Sequence, residues 1–224
     1  MAGNQQFPQR KKNALDHAKL KLSTPCPSAQ GKWSTFGWGI TGNNPRITVY
    51  TNDPNDSKND NGRITGPMGS PDLFAIMHFL QVAIDAPGKC RNKVQLKNFI
   101  FPGGRRSEKP VIVAELWIGQ DDEGVIWLSL CSPQAERPKI KFPIGPGDFA
   151  NWFKEDGTEY SKGEISKIYA KGYMELIKAV MEQIIVTEYK EPEPKDGNGR
   201  PQQQQAPRPQ QAPAGDTFDD DIPF

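Results

Sequence analysis

A sixteen-residue stretch of this chain recurs at a fixed offset of 76, and the two copies align without a gap. Gly62 to Met77 (GRITGPMGSPDLFAIM) lies over Pro138 to Phe153 (PKIKFPIGPGDFANWF). Ile64 meets Ile140, Pro67 meets Pro143, Gly69 meets Gly145 and Asp72 meets Asp148. Basic meets basic at Arg63 and Lys139, and apolar meets apolar at Met68/Ile144, Leu73/Phe149 and Met77/Phe153. Each copy reads as a short strand, a Pro/Gly turn, an Asp near a helix start and an apolar helix. The first helix is expected over 71–84; in the second copy Trp152 and Phe153 fall on the helix and are expected in the core. Two strand-like runs precede each copy: Ser34–Thr41 and Arg46–Asn52, then Val111–Gly119 and Val125–Ser132, the latter pair joined by the turn signal Gln120-Asp121-Asp122-Glu123-Gly124. Repetition of this kind requires a fold in which one unit is used twice. The expected class is α+β, with antiparallel sheets and helices built from a duplicated ββ(β)α unit, its halves spanning about 33–88 and 110–187.

This element order resembles the Whirly and transcriptional-coactivator type of single-stranded-DNA binder, which implies curved sheets facing nucleic acid with helices packed behind. The alternative is an OB-fold β-barrel, since five of these strands with one helix between the third and fourth would also satisfy the order. A further helix is expected from about Lys162 to Thr187. Ile165, Ile168, Tyr169, Tyr173, Leu176, Ile177, Val180, Met181 and Ile184 recur there at helical spacing. Its stripe is expected to pack on the domain's own sheet, a homo-oligomer contact being the alternative. Residues 1–31 are basic and poorly patterned (Arg10, Lys11, Lys12, Lys19, Lys21) and are expected to form a flexible arm. Asn52 to Gly62 reads as a polar loop with nothing to form a core.

Composition changes abruptly after the second helix. Of 28 bases and 27 acids, three bases and seven acids lie in 191–224, so that segment is net −4 and the body is net +5. Residues 191–215 contain GNGRPQQQQAPRPQQAPAG, a Pro/Gln linker expected to be disordered, and 216–224 (DTFDDDIPF) is an acidic tip with an apolar end. A basic body suits a polyanion, and an acidic tail can fold back on it when the polyanion is absent.

From Asp219 through Asp220, Asp221, Ile222 and Pro223 to Phe224, the tip resembles the tail of the bacterial single-stranded-DNA-binding proteins. The resemblance implies that these six residues dock replication proteins (a polymerase, primase or helicase), with the Phe224 ring in a pocket and its carboxylate on a basic group. It covers the tail alone. The mismatch between this tail and the unfamiliar basic body points to a bacteriophage replication system.

Single strands are bound by basic grooves that track phosphates and by aromatic faces on which bases stack. Strand alternation places Ile112, Ala114, Leu116 and Ile118 on one face and Val113, Glu115 and Trp117 on the other. In the next strand Ile126, Leu128 and Leu130 form the core set, which leaves Trp127 and Ser129 opposite. Trp117 and Trp127 are therefore candidate stacking residues. In the first half Arg46, Thr48 and Tyr50 share a face, and Arg63 with Thr65 correspond to Lys139 with Lys141. Trp33, Phe36 and Trp38 supply more rings, on faces left open because Gly37 and Gly39 can bulge the strand. Between Lys89 and Lys109 there are seven bases (Lys89, Arg91, Lys93, Lys97, Arg105, Arg106, Lys109) against one acid, Glu108, and Pro102–Arg106 reads as an exposed flexible loop. These bases are the candidate phosphate contacts.

Other classes find little support. The chain has no P-loop, HExxH or GxSxG motif, and Glu115 is the one carboxylate on a core strand, too few for a metal-dependent nuclease. No enzyme activity and no cofactor is expected. Cys26, Cys90 and Cys131 form no CxxC pair, and with two histidines they offer neither a zinc site nor a disulfide scaffold. With no membrane span and no targeting address, a cytoplasmic protein is expected. The expected function is sequence-independent binding of single-stranded DNA in replication, domain 32–190 coating unwound template. Alternatives are a strand-annealing or recombination mediator, an RNA or transcription regulator on the same fold, and an adaptor that binds no nucleic acid.

Overall fold

The computed structural model describes residues 12–147 and 150–191. Eight strands form two four-stranded antiparallel sheets, each a simple meander. Sheet 1 contains β1 (Leu22–Pro25), β2 (Trp33–Thr41), β3 (Asn44–Tyr50) and β4 (Arg63–Pro67), followed in the chain by helix α1 (Ser70–Asp85). Sheet 2 contains β5 (Cys90–Asn98), β6 (Val111–Gln120), β7 (Ile126–Cys131) and β8 (Phe142–Pro143), followed by helix α2 (Lys162–Thr187). The order strand-strand-strand-strand-helix thus occurs twice.

Alternation decides which side of β3 and β6 is buried, whereas β7 is buried at every position. In β3, Ile47 and Val49 point inward while Arg46, Thr48 and Tyr50 point out. In β6, Ala114, Leu116 and Ile118 are fully buried while Val113, Glu115 and Trp117 are not. The β2–β3 pairing runs from Thr35↔Tyr50 to Thr41↔Asn44 without a bulge, so Gly37 and Gly39 stay on the outer face. Phe36 and Trp38 consequently lie in the core, where Phe36 meets Trp38 edge-on and tilts against Phe142 of the other sheet. The inner faces close through Gly66: a Cβ there would stand 2.4 Å from Leu96 Cδ1 and 3.3 Å from Leu130 Cδ1. Each helix packs on both sheets in an equivalent way, α1 against β3 and β6 and α2 against β2 and β7.

The duplicated positions keep their environments. Ile64 and Ile140 are buried, as are Met68 and Ile144, and Pro67 and Pro143 close β4 and β8. The copies part after that. In the first, Pro71 enters the opening turn and Asp72 accepts from the Gly69 backbone N–H, so α1 starts at once. In the second, Asp148 and Phe149 lie outside the described residues, and 150–161 is irregular rather than the expected helix. Trp152 and Phe153 are accordingly exposed instead of in the core, with Trp152 Nε1 donating to Tyr169 Oη at 3.2 Å. The helix begins instead at Ser161, whose hydroxyl accepts from the Glu164 N–H while the Glu164 carboxylate accepts from the Ser161 N–H.

Three further expectations are corrected. Residues 12–31 belong to the fold: Leu15 is buried, Asn13 caps a 3₁₀ turn at Ala14–Asp16, and β1 pairs with β2 from Leu22↔Phe36 to Pro25↔Trp33. Residues 1–11 of the expected arm, the linker over 192–215 and the tip lie outside the described residues. The loop from Asn52 to Gly62 is built around a buried charge: Asp56 takes two bonds from Arg137, at 2.8 and 2.9 Å, and two more from Thr51 and Asn59. On α2 the stripe narrows, since Ile168 and Leu176 are exposed and Ala170 is buried in their place.

Candidate nucleic-acid interface

The outer face of sheet 2 collects most of the expected residues. Cross-strand register sets Arg91 beside Gly119 and Trp127, and Lys93 beside Trp117 and Ser129. Residues directly opposite on antiparallel strands have side chains within contact range, so these rows form one surface. The half-buried Trp117 ring is flanked by two cations, with Arg91 Cζ 4.8 Å and Lys93 Nζ 5.1 Å from its centroid. Lys141 Nζ lies 4.7 Å over Trp127. Lys139 and Lys141 alternate with buried Ile140 and Phe142 and are exposed.

The two indoles differ in depth. Trp127 is 6% exposed because its partner across the strand is Gly119, where a Cβ would stand 2.7 Å from Trp127 Cζ2. The ring lies flat over that glycine, the usual aromatic cover for a strand glycine. Its Nε1–H is buried with no acceptor. The residue also lines a 180 Å³ pocket with Lys89, Arg91 and Lys141. Lys89 is held by Asp122 at 2.8 Å.

Glu115 is the one acid in the β5–β6 rows of this face. Hydrogen bonds from Gln95 and then Lys93, each 3.1 Å, hold its carboxyl below the ordinary range. Cys131, across from Glu115, is buried, which pushes its thiol pKa up. Among the described residues no group of His, Cys, Asp or Glu is arranged to hold a metal ion.

Beyond Lys97 the β5–β6 hairpin extends to Arg105 and Arg106. The loop is exposed as expected, and it is closed at its base by hydrogen bonds: Ser107 N–H donates to Ile100 O at 2.8 Å, Ile100 N–H donates to Ser107 Oγ at 3.2 Å, and the Arg106 guanidinium lies 3.5 Å over the Phe99 ring. Strand β5 itself was hidden in the sequence, because its exposed positions Arg91, Lys93, Gln95 and Lys97 carry the charge and only Val94 and Leu96 mark its inner side.

Arg46, Tyr50 and Arg63 lie on the outer face of sheet 1, not with the indoles, with Arg46 at the opposite end of the β3–β4 ladder from the other two. Tyr50 pairs with Arg63 across the strands, Trp33 is exposed nearby, and Arg63 is tied to Asp60 at 2.9 Å. A cleft of about 370 Å³ runs from Arg63 and Thr65 of β4 to Ile100 and Val111–Val113 of the hairpin, linking this patch to sheet 2. Among the described residues no helix is long and apolar enough to cross a membrane. In comparison with known proteins, the chain matches no family model, no curated protein and no solved structure.

Proposed function

We propose that the protein binds single-stranded DNA without sequence preference and coats unwound template in a DNA replication system, that of a bacteriophage. The observation that carries this reading is Trp117, a partly exposed indole set between Arg91 and Lys93 on an open sheet face. A base can stack on such a ring while its flanking phosphates meet the cations, and neither contact depends on which base is present. Lys139 and Lys141 continue the basic surface beyond Trp127, and Lys97, Arg105 and Arg106 continue it along the hairpin. The two halves, each four strands and a helix, favour a Whirly-like unit over a single five-stranded barrel. Recruitment of replication proteins through Asp219–Phe224 rests on the sequence of the tip, which lies outside the described residues.

The test is a titration of tryptophan fluorescence with a long oligo-dT at low and high salt, beside duplex of equal length. Strong quenching, weakening with salt and preference for the single strand are the expected results. No binding to either form would overturn the reading and leave an adaptor defined by its tail.

A further inference from the structure

The tip of the β5–β6 hairpin carries side chains that coating a single strand does not require. Ile100 is 42% exposed and Phe101 63% exposed, the latter among the most exposed large apolar side chains of the described residues. They are not on a slack loop. The two Ser107–Ile100 bonds close the tip, and Ser107 Oγ also donates to Lys109 O at 2.9 Å. The turn itself is made by Gly103 and Gly104, with φ of +60° and +81°, a region that costs glycine nothing. Arg106 stacks on Phe99, which fixes one ring and leaves the Phe101 ring presented outward.

In sequence this apolar point is flanked by Lys97, Arg105, Arg106 and Lys109, with Glu108 the sole acid between Lys89 and Lys109. Across the cleft that Ile100 borders lies Asp60, whose charge is tied to Arg63. A protein partner would have to be acidic as well as apolar at one spot. Nucleic acid offers that combination as a matter of course, with base faces lying between phosphates. Apolar side chains at the ends of basic elements enter between base steps and unstack them.

We infer that the hairpin tip is a wedge for the junction of single-stranded and duplex DNA. Phe101, backed by Ile100, enters against the last base pair, while Arg105 and Arg106 take the phosphates of the parting strands. Single-stranded product then passes along the basic face of β5 to Trp117. The inference rests on the proposed DNA binding but adds an activity to it: opening of duplex ends at the protein's own expense of contacts, not merely capture of strands that open by themselves.

The experiment uses the full chain and a forked duplex with 2-aminopurine at the first paired position, and, in a second fork, several pairs further in. Wild type is expected to raise emission at the first position only. Phe101→Ala is expected to lose that rise while its affinity for oligo-dT stays within about twofold, since a lost stacked base would cost about tenfold or more and the proposed single-strand stacking platform is Trp117. Circular dichroism confirms folding, and Arg105→Ala with Arg106→Ala serves as a second variant, expected to weaken fork binding more than oligo-dT binding. If Phe101→Ala keeps the junction signal, the wedge is wrong. If oligo-dT affinity falls in proportion, the ring is an ordinary stacking residue and the wedge is again wrong. If neither DNA readout changes, the tip belongs to a protein contact. Failure of wild type to bind oligo-dT at all would instead remove the reading on which the wedge stands.

Discussion

Trp117 and Trp127 occupy the same side of one hairpin and yet differ in depth. What separates them is the residue opposite: Ser129 and Lys93 leave the Trp117 ring partly open, whereas Gly119 lets Trp127 lie down on the strand under Lys141. Replacing Trp117 by Ala is expected to cost ~1–3 kcal/mol in single-strand affinity with little change in stability. Replacing Trp127 by Ala removes a buried ring from over a glycine and is expected to cost about 3–5 kcal/mol of stability. Fluorescence titration and urea unfolding on both variants separate the two outcomes. Equal loss of affinity with both folds intact would show that the depth difference does not matter for binding.

Among the elements, α2 shows how a local signal places a boundary. Ser161 and Glu164 exchange bonds at its first turn, and Lys154 pairs with Glu164 at 2.7 Å. The Lys154 bond first, then the Ser161 backbone and hydroxyl, bring the Glu164 pKa from 4.5 to about 2. A lowered folded-state pKa means that the unfolded chain binds the proton more readily. The contribution is therefore complete above the ordinary value and is lost as pH falls from 4.5 through about 2. Melting temperature against pH should fall less steeply across that window in Glu164→Gln than in wild type. Ser161→Ala is expected to cost about 1 kcal/mol by urea unfolding. Strand β5 illustrates the opposite case: its residues read as a basic stretch with no strand assigned, because an edge strand that faces solvent on one side carries few apolar residues.

For the whole molecule, the Asp56–Arg137 pair ties the β3–β4 loop of one half to the β7–β8 loop of the other. Arg137 Nη2 also donates to the carbonyls of Asn59 and Arg63, at 3.2 and 3.1 Å. Burial alone would raise the Asp56 pKa, but bonds from Arg137, Asn59 and Thr51 hold it below the ordinary 3.8. Its contribution is thus present above that value and is lost at lower pH. Asp56→Asn leaves the Arg137 charge buried without its partner and is expected to cost about 3–5 kcal/mol. Urea unfolding at neutral pH measures this, and a cost under ~1 kcal/mol would show that the two loops are not held by the pair.

Local chemistry was enough for much of this protein. Apolar periodicity placed α2 at Lys162–Thr187, alternation assigned the faces of β3 and β6, and the repeat at Ile64/Ile140 and Met68/Ile144 marked equivalent core positions. Those signals survive because a helix stripe or a strand's alternation is set by neighbours within a few residues. The missed features depend on partners far away in sequence. Asp56 gains a buried role only from Arg137, Phe36 and Trp38 enter the core because β2 pairs without a bulge, and residues 12–25 fold because β2 offers an edge. Trp152 is exposed because the second copy delays its helix to the cap at Ser161. Likewise the cations around Trp117 come from β5, across a hairpin whose first strand the sequence disguised. Which residues alternate is a property of the chain, but which of them meet is decided by strand register, and register exists only once the sheets have formed.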